Sequence, residues 1–254
     1  IQLHQPDWSF DRDELASVFN AKTKAIIINT PGNPTGKVFS REELSFIAEL
    51  CIRHNVLAIT DEIYEHIILN DQPHISIASL PGMAERTVTI SGLSKTFSVT
   101  GWRLGYAIAP EAITTGIRKV HDFLTVGAPH PLQVAGAAAL NLPDSYYAKL
   151  KADYTRRGQI LLPYLRQAGF QFEDPAGAYY VMTDISTLGA ADDVSFVRWM
   201  VQEIGVAGVP GSSFYHPRSQ GSQKVRFMFA KKDETLHAAG ERLLKIASRT
   251  PCLK

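Results

Sequence analysis

Lys95 stands in the run Ser91-Gly92-Leu93-Ser94-Lys95-Thr96-Phe97-Ser98-Val99-Thr100-Gly101-Trp102-Arg103, at the end of a β-rich segment. A lysine amine can form a Schiff base with a carbonyl carbon, and hydroxyl groups with a guanidinium can hold a phosphate. Small hydroxyl residues surround this lysine, and an arginine follows eight residues later. That is the set of groups a pyridoxal 5′-phosphate (PLP) site requires. Three further elements accompany it in a consistent order. Asn29-Thr30-Pro31-Gly32-Asn33-Pro34-Thr35-Gly36 and Thr60-Asp61-Glu62-Ile63-Tyr64 lie upstream, and Val225-Arg226-Phe227-Met228-Phe229-Ala230 lies downstream.

Each of these residues also has a plain structural reading. Asp61 closes an apolar run, where a carboxylate is costly to desolvate unless it is paired; a turn or capping aspartate would satisfy that as well. Arg226 interrupts an apolar strand, so it needs either a ligand or an internal ion pair. Asn33-Pro34 is a turn signal by itself. Tyr64 could be a core tyrosine, and Ser91 and Ser94 could serve only to solvate a loop.

The elements that must carry these groups follow from hydrophobic periodicity. Apolar runs at residues 25–29, 56–60, 87–91 and 105–109 read as buried strands. Ser40-Arg41-Glu42-Glu43 fits a capping box, and Leu44, Ile47, Leu50 and Cys51 follow at helical spacing. Strands alternating with amphipathic helices predict βαβ units and a mainly parallel sheet. Asn33, Asp61 and Lys95 then fall just beyond the carboxyl ends of strands, where open α/β sheets bind ligands. From residue 129 the texture changes. Helices are expected at 132–142, 145–168, 194–203 and 234–248, and short strands at 171–173, 179–182, 206–209 and 225–229. Gly169 is expected to cap the second of these helices. We read residues 1–143 as a large domain and 144–254 as a smaller α+β domain.

Taken together, these motifs resemble the class I/II aminotransferases, the fold-type I PLP enzymes. The wording Lys-Thr-Phe-Ser-Val-Thr-Gly-Trp-Arg-Leu-Gly-Tyr is most similar to the kynurenine, glutamine and methionine aminotransferase branch. The resemblance covers residues 7–246. It implies an α/β fold with a mainly parallel sheet flanked by helices, plus the smaller C-terminal domain. It implies PLP as cofactor, with Lys95 as Schiff-base and proton-transfer residue and Asp61 on the pyridinium nitrogen. Tyr64 and Asn33 would bind the 3′-oxygen. Arg103, Ser91 and Ser94 would bind the phosphate, and Arg226, with Asn33, the substrate carboxylate. It also implies a homodimer in which Thr125-Val126-Gly127-Ala128-Pro129-His130 forms part of a shared loop. Substrates would be an amino acid, aromatic or sulfur-containing, and a 2-oxo acid. Members of the family carry much more chain before the asparagine matched by Asn33. The expectation is therefore a fragment of a larger enzyme, with a natural truncation as the alternative, lacking the N-terminal arm, the first strand and helix, a phosphate loop and the aromatic residue stacked on the ring.

Bulk properties exclude several classes. A net charge of +1 on 254 residues gives no basic footprint for nucleic acid. No apolar run approaches membrane-spanning length, and a soluble cytoplasmic protein is expected. Cys51 and Cys252 are too few for a disulfide framework, and Cys51 is expected to be a core thiol. Gly32-Asn33-Pro34-Thr35-Gly36-Lys37 is one residue short of a phosphate-binding Walker loop, with Val38 in place of the required hydroxyl. Ser91 and Lys95 have the wrong spacing for a Ser-x-x-Lys site. The eight histidines include no His-x-x-x-His pair, and no metal is assigned. Three rivals remain open: a C–S β-lyase on the same scaffold, a PLP-sensing regulator, and a non-catalytic remnant.

Overall fold

The computed structural model describes residues 1–246; Cys252 and the expected helix end at residues 247–248 lie outside the described residues. The chain divides into two units, one of Ile1–Gly32 and Lys37–Leu150, the other of Asn33–Gly36 and the chain from Lys151. The division falls after Leu150 instead of residue 143. Tyr146 and Tyr147 pack on Phe97, and Tyr147 also packs on His66, which keeps that stretch with the first unit.

In the first unit, Asp11 caps the helix Arg12–Val18 (α1) by accepting the Glu14 N–H. The apolar run at 25–29 forms the strand Ala25–Asn29 (β1). The capping box is present as expected. Ser40 accepts the Glu43 N–H, and the Glu43 carboxylate returns to the Ser40 N–H, starting the helix Arg41–His54 (α2). Asn55 ends that helix in the left-handed conformation. Leu57–Asp61 (β2) follows, and after two short 3₁₀ turns comes Thr87–Gly92 (β3). A single helical turn, Leu93–Thr96 (α3), carries Lys95 and leads through Thr100–Trp102 to Gly105–Ile108 (β4).

The sheet order is β1-β2-β3-β4, parallel throughout except for the antiparallel pair β3–β4. The core lies against α2, where Leu44, Leu50 and Cys51 meet Ile28 and Ala58. Each such fully buried aliphatic side chain contributes about 1.5–3 kcal/mol relative to exposure. On its other face β1 shows Ile27, 76 % exposed. The helix Glu111–Leu124 (α4) has no buried residue, and its Phe123 is 92 % exposed. His130–Leu140 (α5) completes the unit together with the first turns of Asp144–Gln167 (α6).

The second unit takes the rest of α6, which ends as expected at left-handed Gly169, with the Phe170 N–H bonded to Leu165 O. Tyr180–Asp184 (β5), the helix Asp193–Trp199 (α7), Val209–Pro210 (β6), Lys224–Met228 (β7) and the helix Asp233–Leu243 (α8) follow. The sheet is antiparallel in the order β5-β7-β6. Three expectations need correction. Residues 171–173 are not a strand. Only Gln171 bridges to Asp184, because Asp174-Pro175 stops the run before a ladder can form. Residues 206–209 shrink to β6: Gly208 breaks the run, and a Cβ there would stand 2.5 Å from Val225. The helix at 194–203 stays α-helical only to Trp199. It then widens into a π turn, Met200–Ile204, closed by left-handed Gly205. No helix among the described residues is long and apolar enough to cross a membrane.

Candidate functional site

The first unit gathers six of the eight expected site residues at and after the ends of β2 and β3. Asp61 is the last residue of β2, half-buried, and its Oδ1 accepts the Ile63 N–H at 3.2 Å. Tyr64 is buried two residues into the turn that follows. Lys95 is half-buried on α3, with its Nζ 5.9 Å from the centre of the Tyr64 ring. Among the described residues Lys95 makes no hydrogen bond or ion pair, and the Asp61 carboxylate makes none besides that to Ile63. Ser94 is half-buried beside Lys95. Arg103 is exposed and left-handed (φ 53°), its Nη1 donating to Thr100 O at 2.8 Å. Ser98, in the same loop, is also left-handed. Such strain in non-glycine residues clusters where a loop is shaped for a ligand.

The local sequence explains this placement. β3 and β4 approach closely at the opposed pair Gly92 and Gly105: a Cβ on Gly92 would lie 3.0 Å from the Gly105 Cα. The absence of side chains there lets the lysine turn start flush with the sheet. Tyr146 anchors the other end of that turn, its hydroxyl donating to Thr96 O at 2.9 Å.

Ser91 is placed differently from a phosphate ligand. It is buried, and its hydroxyl proton goes to Glu65 Oε1 at 2.7 Å, an oxygen that also accepts from Tyr106 at 3.3 Å. Glu62, the neighbour of Asp61, points into the protein. Its Oε1 accepts from Thr60 and Ser76, both at 2.8 Å, and its Oε2 pairs with His74 Nε2 at 2.7 Å. Burial by itself would raise the Glu62 carboxyl, but the hydrogen bonds from His74, Thr60 and Ser76 and the His74 charge outweigh it, so it lies below its usual value. Ligand atoms of Glu62, Glu65 and His74 come within 4.8 Å of one another, yet these oxygens are already engaged as hydrogen-bond acceptors. Lys37 is spent on Glu43 at 2.8 Å, consistent with the rejection of a Walker loop.

The second unit brings together the other two residues. Strand alternation puts Val225 and Phe227 in the core and turns Arg226 to the opposite face. There the Arg226 guanidinium carbon lies 4.2 Å from the centre of the Tyr180 ring and 4.7 Å from that of Phe214. Its Nη1 donates to Asn33 Oδ1 at 2.6 Å. The Asn33–Gly36 loop is held by Gly36, whose carbonyl accepts the Gly177 N–H at 2.8 Å. Gly36 has φ 72°, and a Cβ there would collide with Pro175 at 2.4 Å. The Asn33–Pro34 peptide is cis.

Glu65, Tyr180 and Phe214 were not singled out in the sequence. For Tyr180 and Phe214 the available signal was an arginine interrupting an apolar strand, a charge that needs partners on its own face. A PLP group fits the residues present. Lys95 and Asp61 offer an amine and a carboxylate with capacity to spare, and Ser94 on α3 and Arg103 after the following 3₁₀ turn are candidate phosphate donors.

The profile of the family "Aminotransferase class I and II" matches residues 2–243. The chain is 40 % identical over 253 residues to kynurenine–oxoglutarate transaminase 3 of Mus musculus, covering 92 % of this chain and 56 % of that protein. It is 39 % identical over 259 residues to kynurenine–oxoglutarate transaminase 1 of Homo sapiens, covering 94 % and 61 %. Among solved structures, N-succinyldiaminopimelate aminotransferase from Mycobacterium tuberculosis superposes with a TM-score of 0.90 at 38 % identity, covering 94 % of this chain and 62 % of that one. YbdL from Escherichia coli, described with a methionine aminotransferase function, gives a TM-score of 0.90 at 35 % identity, covering 96 % and 63 %. The chain thus spans roughly three-fifths of the length of these relatives. The kynurenine and methionine names among them match the branch read from the lysine motif, whereas N-succinyldiaminopimelate aminotransferase lies outside it. With a mainly parallel sheet that carries Asp61 at the end of one strand and Lys95 on the turn after another, and a family match over nearly all its length, the chain belongs to the class I and II aminotransferases.

Proposed function

We propose that this chain is the greater part of a PLP-dependent aminotransferase, which moves an amino group from an amino acid to a 2-oxo acid. The observation that carries the reading is the Lys95 amine, without a polar partner among the described residues, beside the Tyr64 ring and on the same sheet end as Asp61. Bound PLP supplies a carbonyl carbon that accepts the amino group and a ring that takes up electrons when the substrate Cα loses its proton. Lys95 would hold the group through its amine and, when free, would carry the proton away from the substrate Cα. Asp61 keeps the ring nitrogen protonated through charge and hydrogen bonding. Tyr64 donates its hydroxyl to the ring oxygen, where Asn33 is the second candidate donor through its amide. Arg103 and Ser94 hold the phosphate. Ser91, already donating to Glu65, has only its lone pairs left and supports the turn. Arg226 binds the substrate carboxylate edge-on, oriented by Asn33 and by the two rings.

The amino acid is proposed to be aromatic or sulfur-containing, in keeping with the relatives named for kynurenine and methionine. A cytoplasmic homodimer is part of the same proposal. The exposed apolar stripe of α4 and the exposed Val126 of the expected shared loop are surfaces that a second copy would cover.

The test is to mix the protein with PLP, reduce with borohydride and map the adduct by peptide mass spectrometry. A stoichiometric adduct on Lys95, with transamination of an amino acid panel that disappears in Lys95→Ala, is the expected result. An adduct elsewhere, or full turnover by Lys95→Ala, overturns it. Pyruvate and ammonia released from an S-conjugate, without amino transfer, would assign the β-lyase instead.

A further inference from the structure

The turn after β2 carries another carboxylate that none of the proposed steps uses. Glu65 follows Tyr64 directly, and one of its oxygens, Oε1, takes the protons of both Ser91 and Tyr106. Ser91 and Tyr106 face each other in the β3–β4 register. A single oxygen therefore joins three segments: the Tyr64 turn, the strand leading into Lys95, and β4. The next pair in that register is Gly92 and Gly105, which have no side chains to hold the ladder. The last side-chain tie before the lysine turn is thus the one made through Glu65. The turn itself is stiff around Tyr64, with the Glu65 N–H donating to Glu62 O at 2.9 Å and the Ile67 N–H to Tyr64 O at 2.8 Å. Burial, and secondarily the Glu65 charge, hold the Tyr106 phenol above its usual pKa, so it stays a proton donor. Burial also holds the adjacent His66 below its usual value, which keeps it neutral near pH 7.

We propose that Glu65 is a positioning residue: by clamping Ser91 and Tyr106 it fixes the Lys95 turn beside Tyr64. The proposal rests on the reading of Lys95 as the cofactor lysine. Its test compares Glu65→Ala and Glu65→Gln with the unsubstituted protein. Glutamine keeps an oxygen where both protons are received, whereas alanine removes it. In the cofactor-free protein, amide hydrogen exchange across residues 92–96 should rise about tenfold in Glu65→Ala, with α2 unchanged, as expected when hydrogen bonds to a charged acceptor are lost. PLP affinity, read by fluorescence titration, should weaken about tenfold in parallel. Glu65→Gln should stay close to the unsubstituted protein in both measurements. Unchanged exchange in Glu65→Ala overturns the proposal. So does a rise that is equal in α2 and in the lysine turn, which would mark a general structural role. Failure of the unsubstituted protein to form a Lys95 adduct would sink the PLP reading alone, because the exchange comparison needs no cofactor.

Discussion

Replacing Arg226 separates charge from geometry. Its guanidinium lies near the rings of Tyr180 and Phe214 and engages Asn33 through Nη1. The planar guanidinium fork can give a carboxylate two parallel hydrogen bonds, the arrangement that favours arginine over lysine. Truncating one partner of a hydrogen-bonded charge pair costs about 2–5 kcal/mol. At about 1.4 kcal/mol per decade, that is a loss of about 30-fold to several thousand-fold in kcat/KM for the amino acid. Arg226→Gln removes the charge and should fall in the upper part of this range. Arg226→Lys keeps the charge but loses the fork and should sit near the lower end. Two ring contacts at about 0.5–1 kcal/mol each predict a loss of about 1–2 kcal/mol in urea unfolding for Arg226→Gln. The assay is steady-state transamination of an amino acid beside the corresponding amine, with borohydride trapping at Lys95 as the control. Trapping should be retained in both variants, and the preference for amino acid over amine should collapse in Arg226→Gln. A kcat/KM within about threefold of the unsubstituted protein, with trapping intact, would refute the carboxylate role.

Asp61→Asn should lower turnover far more than PLP affinity, because the neutral amide cannot hold the ring nitrogen protonated; parallel losses in kinetics and titration would make Asp61 mainly a binding residue. Ser40→Ala removes one arm of the capping box of α2 and should cost about 1 kcal/mol in urea denaturation, with Lys95 trapping unchanged. Burial pushes the Cys51 thiol up to about 11, so at pH 8 only about one thiol in a thousand is thiolate. Peptide mapping after iodoacetamide treatment should find Cys51 unmodified in the native protein and alkylated after unfolding. Glu62 is depressed in the folded state, so its stabilising contribution is present above the unfolded carboxyl value of about 4.3 and is lost as pH falls through the lower folded value. Glu62→Gln should therefore lose stability at pH 7 and show a weaker acid dependence; an unchanged stability–pH curve would remove Glu62 from the acid transition.

The residues that announce the chemistry were legible because each lies in a short local pattern. Asp61 follows a largely apolar run and Lys95 a β-rich one, and such a run bounded by turn residues specifies a strand end whatever surrounds it. The capping box at Ser40 and the glycine cap at Gly169 were equally readable, since both are closed by neighbours within a few residues. Where the expectation failed, local pattern lost to packing. Gly208 broke a strand because Val225 fills the space beside it, and beyond Trp199 the helix that sequence spacing would have continued widens into a π turn.

Other features depended on residues far apart in the chain. Nothing near Arg226 in sequence names Asn33 as its partner across 193 positions, or Tyr180 and Phe214 as its walls. Nothing near Ser91 says that its proton goes to Glu65, or near Glu62 that it turns inward to Thr60, Ser76 and His74. The sequence alone determined which reactive groups sit at which strand ends, because strand and turn propensities act over a few residues. Only the tertiary structure decided which of those groups keep a proton or lone pair to offer, because a hydroxyl has one proton to donate and its recipient is chosen by the fold.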